Sequence, residues 1–125
     1  MTRILVVEDD PSVQSMLRQT LVDAGYDVLT ANDGSEVIAL LKAQSIDLLI
    51  TDMVMPMSGV ELLGSLVKPG LAGGPGFKII AISGGGDLDP ERYLRSAKLL
   101  GADRTLAKPI LRQVLLQTID EVLAE

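Results

Sequence analysis

The chain has 125 residues, room for one ordinary domain, and 47% of them are apolar although only two tyrosines and one phenylalanine are present. It has no cysteine and no histidine, which excludes disulfides, thiolate metal sites, Ser-His-Asp triads, histidine-ligated zinc and a phosphohistidine carrier. A net charge of −6 argues against nucleic acid as a partner, because phosphate contacts need clustered Lys and Arg.

The first element predicted is a strand over residues 4–7, an apolar run without alternation, as in parallel strands buried on both faces. Asp10 is a predicted N-cap and Pro11 suits the first helical position. Val13, Met16, Leu17, Thr20, Leu21 and Ala24 then fall on one helical face until Gly25 stops the helix. Residues 26–30 are shorter and more mixed, as an edge or near-edge strand would be. A second helix runs from about Gly34 to Ala43 with Val37, Ile38 and Leu41 inward, followed by a buried strand over residues 48–50. A third helix starts near Ser58 and carries Val60, Leu62, Leu63 and Leu66. The only long run of helix breakers, residues 68–76, reads as a loop before the strand at 79–82. Asp89-Pro90-Glu91 opens a fourth helix, Gly101 ends it, and residues 104–107 form a second mixed strand. From Pro109 onward, Leu111, Val114, Leu115, Thr118, Ile119 and Val122 make the stripe of a last helix.

Five strand–helix pairs in alternation predict an α/β fold: a doubly wound five-stranded parallel sheet with helices on both faces. The expectation is one domain over residues 1–125, with no output domain in this chain. No apolar stretch approaches the ~20 residues needed to span a bilayer, and no signal peptide is legible. A soluble cytoplasmic protein with no membrane contact is expected.

Ligands of such sheets bind at the carboxyl ends of the strands, where strand order reverses. Those ends carry Glu8-Asp9-Asp10, Thr51-Asp52, Ser83-Gly84 and Ala107-Lys108. Glu8, Asp9 and Asp52 brought together repel one another, and a divalent cation removes the conflict. Oxygen donors without nitrogen or sulfur favour Mg²⁺. An aspartate beside Mg²⁺ and the Lys108 ammonium can attack a phosphoryl group, with the Ser83 hydroxyl donating to a second phosphoryl oxygen. Singly, each residue has a plainer role: a strand-end acid as a cap or solvated charge, Ser83 as a turn residue, Lys108 as a surface lysine. Asp10 reads as a cap. Joint placement at four strand ends carries the functional reading.

The runs ILVVEDDP (4–11), LLITDMVMPMSG (48–59) and IIAISG (79–84), then Gly101-Ala102 and Lys108-Pro109, closely resemble the bacterial response-regulator receiver family, the chemotaxis-regulator-like proteins. The likeness spans essentially the whole chain. It implies a flavodoxin-like strand order 2-1-3-4-5 and a two-component receiver that takes a phosphoryl group from a histidine kinase or phosphotransfer protein. It also implies that Asp52 is the acceptor and that Glu8 and Asp9 hold Mg²⁺, with Asp9 favoured as the direct ligand. Asp52 itself and the Val54 carbonyl complete the metal ligands. Ser83 and Lys108 take the family's hydroxyl and lysine roles, and the Lys108–Pro109 peptide is expected to be cis. The switched surface would address a downstream protein target. The only chemistry implied is the chain's own phosphorylation and dephosphorylation, so it is not expected to be an enzyme.

One departure stands out. Receivers commonly carry Tyr or Phe three residues before the lysine, and here that position is Thr105. Switching must then use backbone and loop movement, for which Gly84-Gly85-Gly86 offers freedom, or a different side chain; the plainer reading is that Thr105 merely fills an edge-strand position. Val54 and Gly85 offer no side chain to position an attacking water, so a phosphoryl lifetime longer than that of fast chemotaxis-type receivers is expected. Leu94, Leu99, Leu100, Ile110 and Leu116 are apolar residues left outside the predicted stripes; they read either as a greasy surface or as a homodimer or target-docking patch on the last two helices.

Three other functions fit less well. A haloacid-dehalogenase-like phosphatase needs a second acid two residues after the nucleophile, where this chain has Val54. A flavodoxin-like cofactor binder needs a phosphate-cradling loop after the first strand, where three acids stand. A receiver fold used only for protein contact usually lacks the acceptor or the lysine, and both are here.

Overall fold

Apolar runs that do not alternate need cover on both faces, and the computed structural model supplies it. It describes residues 1–52, 76–83 and 102–125, with the Ser83 side chain left aside. Five strands, β1 (Arg3–Val7), β2 (Asp27–Ala31), β3 (Leu48–Asp52), β4 (Lys78–Ser83) and β5 (Arg104–Ala107), form one sheet. All neighbouring pairs are parallel, in the order β2-β1-β3-β4-β5. The described helices are α1 (Pro11–Asp23), α2 (Gly34–Ala43) and α3 (Arg112–Leu123).

Alternate residues of each central strand face opposite layers. Ile4 and Val6 of β1, with Leu48, Ile50, Ile80 and Ile82, pack against Leu17 and Leu21 of α1 and Leu115, Ile119 and Val122 of α3. Leu5 and Val7, with Leu49, Ile79 and Ala81, pack on the other side against Val37 of α2 and Ile46. The sheet is therefore doubly wound, and β2 and β5 lie at its edges as their mixed composition predicted. The third and fourth predicted helices, the loop up to residue 75, Val54 and Gly84 to Gly86 lie outside the described residues.

Local signals set the helix ends. Asp10 caps α1, its Oδ1 accepting from the Ser12 and Val13 amides at 2.9 and 3.4 Å, with Pro11 in the first turn. At the other end the Gly25 amide donates to the Val22 carbonyl and the Tyr26 amide to the Leu21 carbonyl. This paired closure needs a left-handed residue, supplied by Gly25 at φ +95°. Asp33, which the pattern did not flag, caps α2 by accepting from the Glu36 amide at 3.0 Å.

Five expectations need correction. The second strand is Asp27–Ala31 rather than 26–30. The last helix starts at Arg112 rather than Pro109, because Leu111 keeps an extended backbone (φ −85°, ψ 135°). Its buried stripe is accordingly narrower: Leu115, Ile119 and Val122 are buried, whereas Leu111 is 64% and Val114 45% exposed. Ile110 and Leu116, expected to be surplus, instead pack on the rim of the core. On α1, Met16 turns outward and Ala24 lies exposed at the C-cap, since Leu17, Thr20 and Leu21 suffice to seal that helix on the sheet.

Candidate functional site

β1 and β3 are sheet neighbours, and the chain steps from β1 outward to β2 before β3 forms on β1's other side, so strand order reverses between them. Glu8 follows β1 and is 2% exposed, and Asp52 ends β3 at 5% exposed. Both sit at the sheet's carboxyl edge with the exposed Asp9. One carboxylate oxygen from each of Glu8, Asp9 and Asp52 lies within 4.8 Å of the other two.

Lys108, directly after β5, reaches across this edge. Its Nζ donates to Glu8 Oε1 at 2.8 Å and to Asp52 Oδ2 at 2.7 Å. The Asp10 amide donates to the second Glu8 oxygen at 3.3 Å. Burial pushes the Glu8 carboxyl from its ordinary 4.5 up to about 7; the Lys108 hydrogen bond opposes that rise and the neighbouring Asp52 charge adds to it. For Lys108 burial works downward, but its bonds to Asp52 and Glu8 outweigh it and the ammonium pKa is raised. The lysine therefore stays charged. Among the described residues, with all groups ionised, three carboxylates against one ammonium leave a formal charge of −2, which a divalent cation would balance. The donors are all hard oxygens, the set that suits Mg²⁺ and not a soft metal.

Of the residues singled out in the sequence, Glu8, Asp9, Asp52 and Lys108 meet in one cluster. The backbone of Ser83 lies at the same edge, paired in register with Ala107; its side chain and all of Val54 lie outside what is described. The Lys108–Pro109 peptide is cis, as expected. Thr105 is half-buried on β5 opposite Ala81. Sequence reasoning missed Gln14, whose side chain bonds the Glu8 carbonyl at 2.9 Å. Its one signal was a polar residue beside Val13 on the inner shoulder of α1.

The model of the response regulator receiver domain family matches residues 4–120. The chain belongs to that family. It is thus a receiver of two-component signalling, a module that accepts a phosphoryl group, built on the chemotaxis-regulator-like fold. It is 33% identical over 125 residues to the protein PilH of Pseudomonas aeruginosa, covering 99% of both chains. It is 32% identical to the transcriptional regulatory protein GlrR of Escherichia coli, covering 98% of this chain and 26% of that one. This receiver spans about a quarter or less of several curated relatives it matches, 26% of GlrR and 17% of the Vibrio cholerae autoinducer sensor kinase/phosphatase CqsS. The solved structure of chemotaxis response regulator CheY4 of Vibrio cholerae superposes with a TM-score of 0.83 at 32% identity, covering 98% of each chain.

Proposed function

We propose that Asp52 is the residue that accepts the phosphoryl group, and that a histidine kinase or phosphotransfer protein donates it. The observation that carries this reading is the Lys108 ammonium held between Glu8 and Asp52 at 2.8 and 2.7 Å, inside a three-carboxylate cluster. Glu8, Asp9 and Asp52, with the Val54 carbonyl, would hold Mg²⁺. When bound, that ion supplies positive charge to offset the carboxylates and to draw electron density from the phosphoryl oxygens.

The rest falls to the chain's own groups. An Asp52 carboxylate oxygen attacks phosphorus, the P–N bond to the donor imidazole breaks, and the imidazole nitrogen keeps the electron pair. Lys108 is tethered to Asp52 already, so its ammonium can follow the charge onto an equatorial oxygen with little reorganisation. The Ser83 hydroxyl donates to another. Gly84 has no side chain to obstruct phosphate entry. Beyond its own phosphorylation and dephosphorylation the chain is assigned no catalysis.

The phosphoryl group trades one carboxylate for a larger, more highly charged group and biases a pre-existing equilibrium between two surfaces. The altered surface acts on a downstream protein target. Leu111 and Val114, exposed at the start of α3, support contact there, either with the target or in a homodimer through the last two helices. A cytoplasmic site of action is part of this reading; among the described residues no helix is long and apolar enough to cross a membrane.

Beryllium fluoride with Mg²⁺ mimics the bound phosphoryl group and provides the test. Wild type is expected to show amide chemical-shift changes around Ser83 and Lys108, and Asp52→Asn none. Equal responses in the two proteins would overturn the assignment.

A further inference from the structure

Gln14 is half-buried on the first turn of α1, and its amide reaches the carboxyl ends of two strands at once. Nε2 donates to the Glu8 carbonyl at 2.9 Å, the Ala31 carbonyl at 3.1 Å and Asn32 Oδ1 at 3.2 Å. Two hydrogens serve three acceptors, so one is shared. The Ala31 carbonyl also accepts from the Glu8 amide at 3.1 Å. One side chain thereby stitches the turn after β1 to the turn after β2.

The acceptor Asn32 is itself held in place. Glu36 takes its backbone amide at 2.9 Å and its Nδ2 at 3.2 Å, leaving Oδ1 for Gln14. Glu36 stands in the first turn of α2, whose start Asp33 caps. The network therefore ends on regular secondary structure at both sides, α1 and α2.

The Glu8 carbonyl belongs to the peptide that joins Glu8 to Asp9. Among the described residues nothing hydrogen-bonds the Asp9 carboxylate, so its direction depends on the main chain that carries it. We infer that Gln14 is a positioning residue for the divalent-cation site: by fixing the Glu8–Asp9 peptide it aims Asp9 into the space shared with Glu8 and Asp52. The inference rests on the reading of those carboxylates as the Mg²⁺ site. A Gln14 that merely ties α1 to the sheet would affect stability and leave metal affinity unchanged.

The test compares wild type, Gln14→Met, Asp9→Asn and Gln19→Met by calorimetric titration with MgCl₂. Methionine keeps the length of glutamine without its donors, and Gln19, bonded to Asp23 on the same helix, is the control. Partners that orient a metal ligand are typically worth about 10–100-fold in affinity, and one acting through the main chain should fall at or below the low end, about 3–10-fold. Gln14→Met is thus expected to raise the Mg²⁺ Kd by that factor and Gln19→Met to leave it unchanged. With an acyl phosphate as donor, Gln14→Met should need more Mg²⁺ for half-maximal phosphorylation yet reach the wild-type rate at saturation. An unchanged Kd in folded Gln14→Met, with Asp9→Asn weakened, overturns the inference alone. No Mg²⁺ binding by wild type overturns it together with the reading beneath it. Should Gln14→Met fail to fold, the wild-type Gln14 side-chain amide resonances decide: they are expected to titrate with Mg²⁺ alongside the Asp9 amide, and resonances as still as those of Gln19 overturn the inference.

Discussion

Among the described residues Lys108 is the cation between two buried carboxylates, which makes it the residue with most to lose. Removing one partner of a buried ion pair leaves an uncompensated charge and costs about 3–5 kcal/mol. Here part of that cost is avoidable, because Glu8 already holds its proton up to about pH 7. The sign follows from linkage. The folded protein binds the Glu8 proton more tightly than the unfolded chain, so this group's contribution is fully present below 4.5 and lost as pH rises through about 7. Lys108→Met removes the bond that opposes the rise, so Glu8 should hold its proton to still higher pH. Urea denaturation of the metal-free protein is expected to show a larger penalty for Lys108→Met at about pH 8 than at about pH 5. A penalty that does not change with pH would mean that Glu8 does not titrate in this range. At saturating Mg²⁺ the same variant should accept phosphoryl from an acyl phosphate about 10²–10³-fold more slowly, the usual loss of one group aimed at developing charge.

Among the elements, α3 shows where pattern reading works and where it stops. Both Leu111 and Ile119 fit a 3.6-residue stripe, but Ile119 is fully buried and Leu111 64% exposed. Ile119→Ala should therefore cost about 2–5 kcal/mol in urea denaturation, while Leu111→Ala should stay within about 0.5 kcal/mol. Similar losses from both would place the helix start back at Pro109. Asp10→Ala should cost about 1 kcal/mol through the lost cap. The strands, their two-sided burial and the caps of α1 were legible because they depend on neighbours in sequence: uninterrupted Ile, Leu and Val, then Asp10-Pro11, then Gly25. So were Glu8, Asp9, Asp52 and Lys108, since parallel topology brings strand ends together whatever the side chains do. Rotation of α3 was not legible, because the backbone of Leu111 decides it and its side chain carries no signal. Gln14 was hidden for a different reason: its partners are main-chain oxygens of Glu8 and Ala31, which any sequence supplies.

For the whole molecule, the metal-free fold carries its conflict at one edge of the sheet. Strands β1 and β3 are braced by the two apolar layers, so the acids at their ends cannot separate without disturbing a packed core. A cation that binds the folded state alone relieves this and adds stability by mass action, about 2.7 kcal/mol at a hundredfold excess over Kd. Protons compete for the same oxygens, and Glu8 is the group that takes one near neutrality. Mg²⁺ should consequently raise Tm more at about pH 8 than at about pH 6, release protons on binding near pH 7, and bind more weakly as pH falls below that value. Thermal melts with and without MgCl₂ measure the first effect, and calorimetric titration in two buffers of different ionisation enthalpy measures the second. Asp9→Asn should abolish most of the Mg²⁺-dependent rise in Tm while leaving the metal-free Tm near wild type, because Asp9 is exposed and adds no burial of its own. A Tm rise that survives Asp9→Asn unchanged would put the cation elsewhere on this acidic surface.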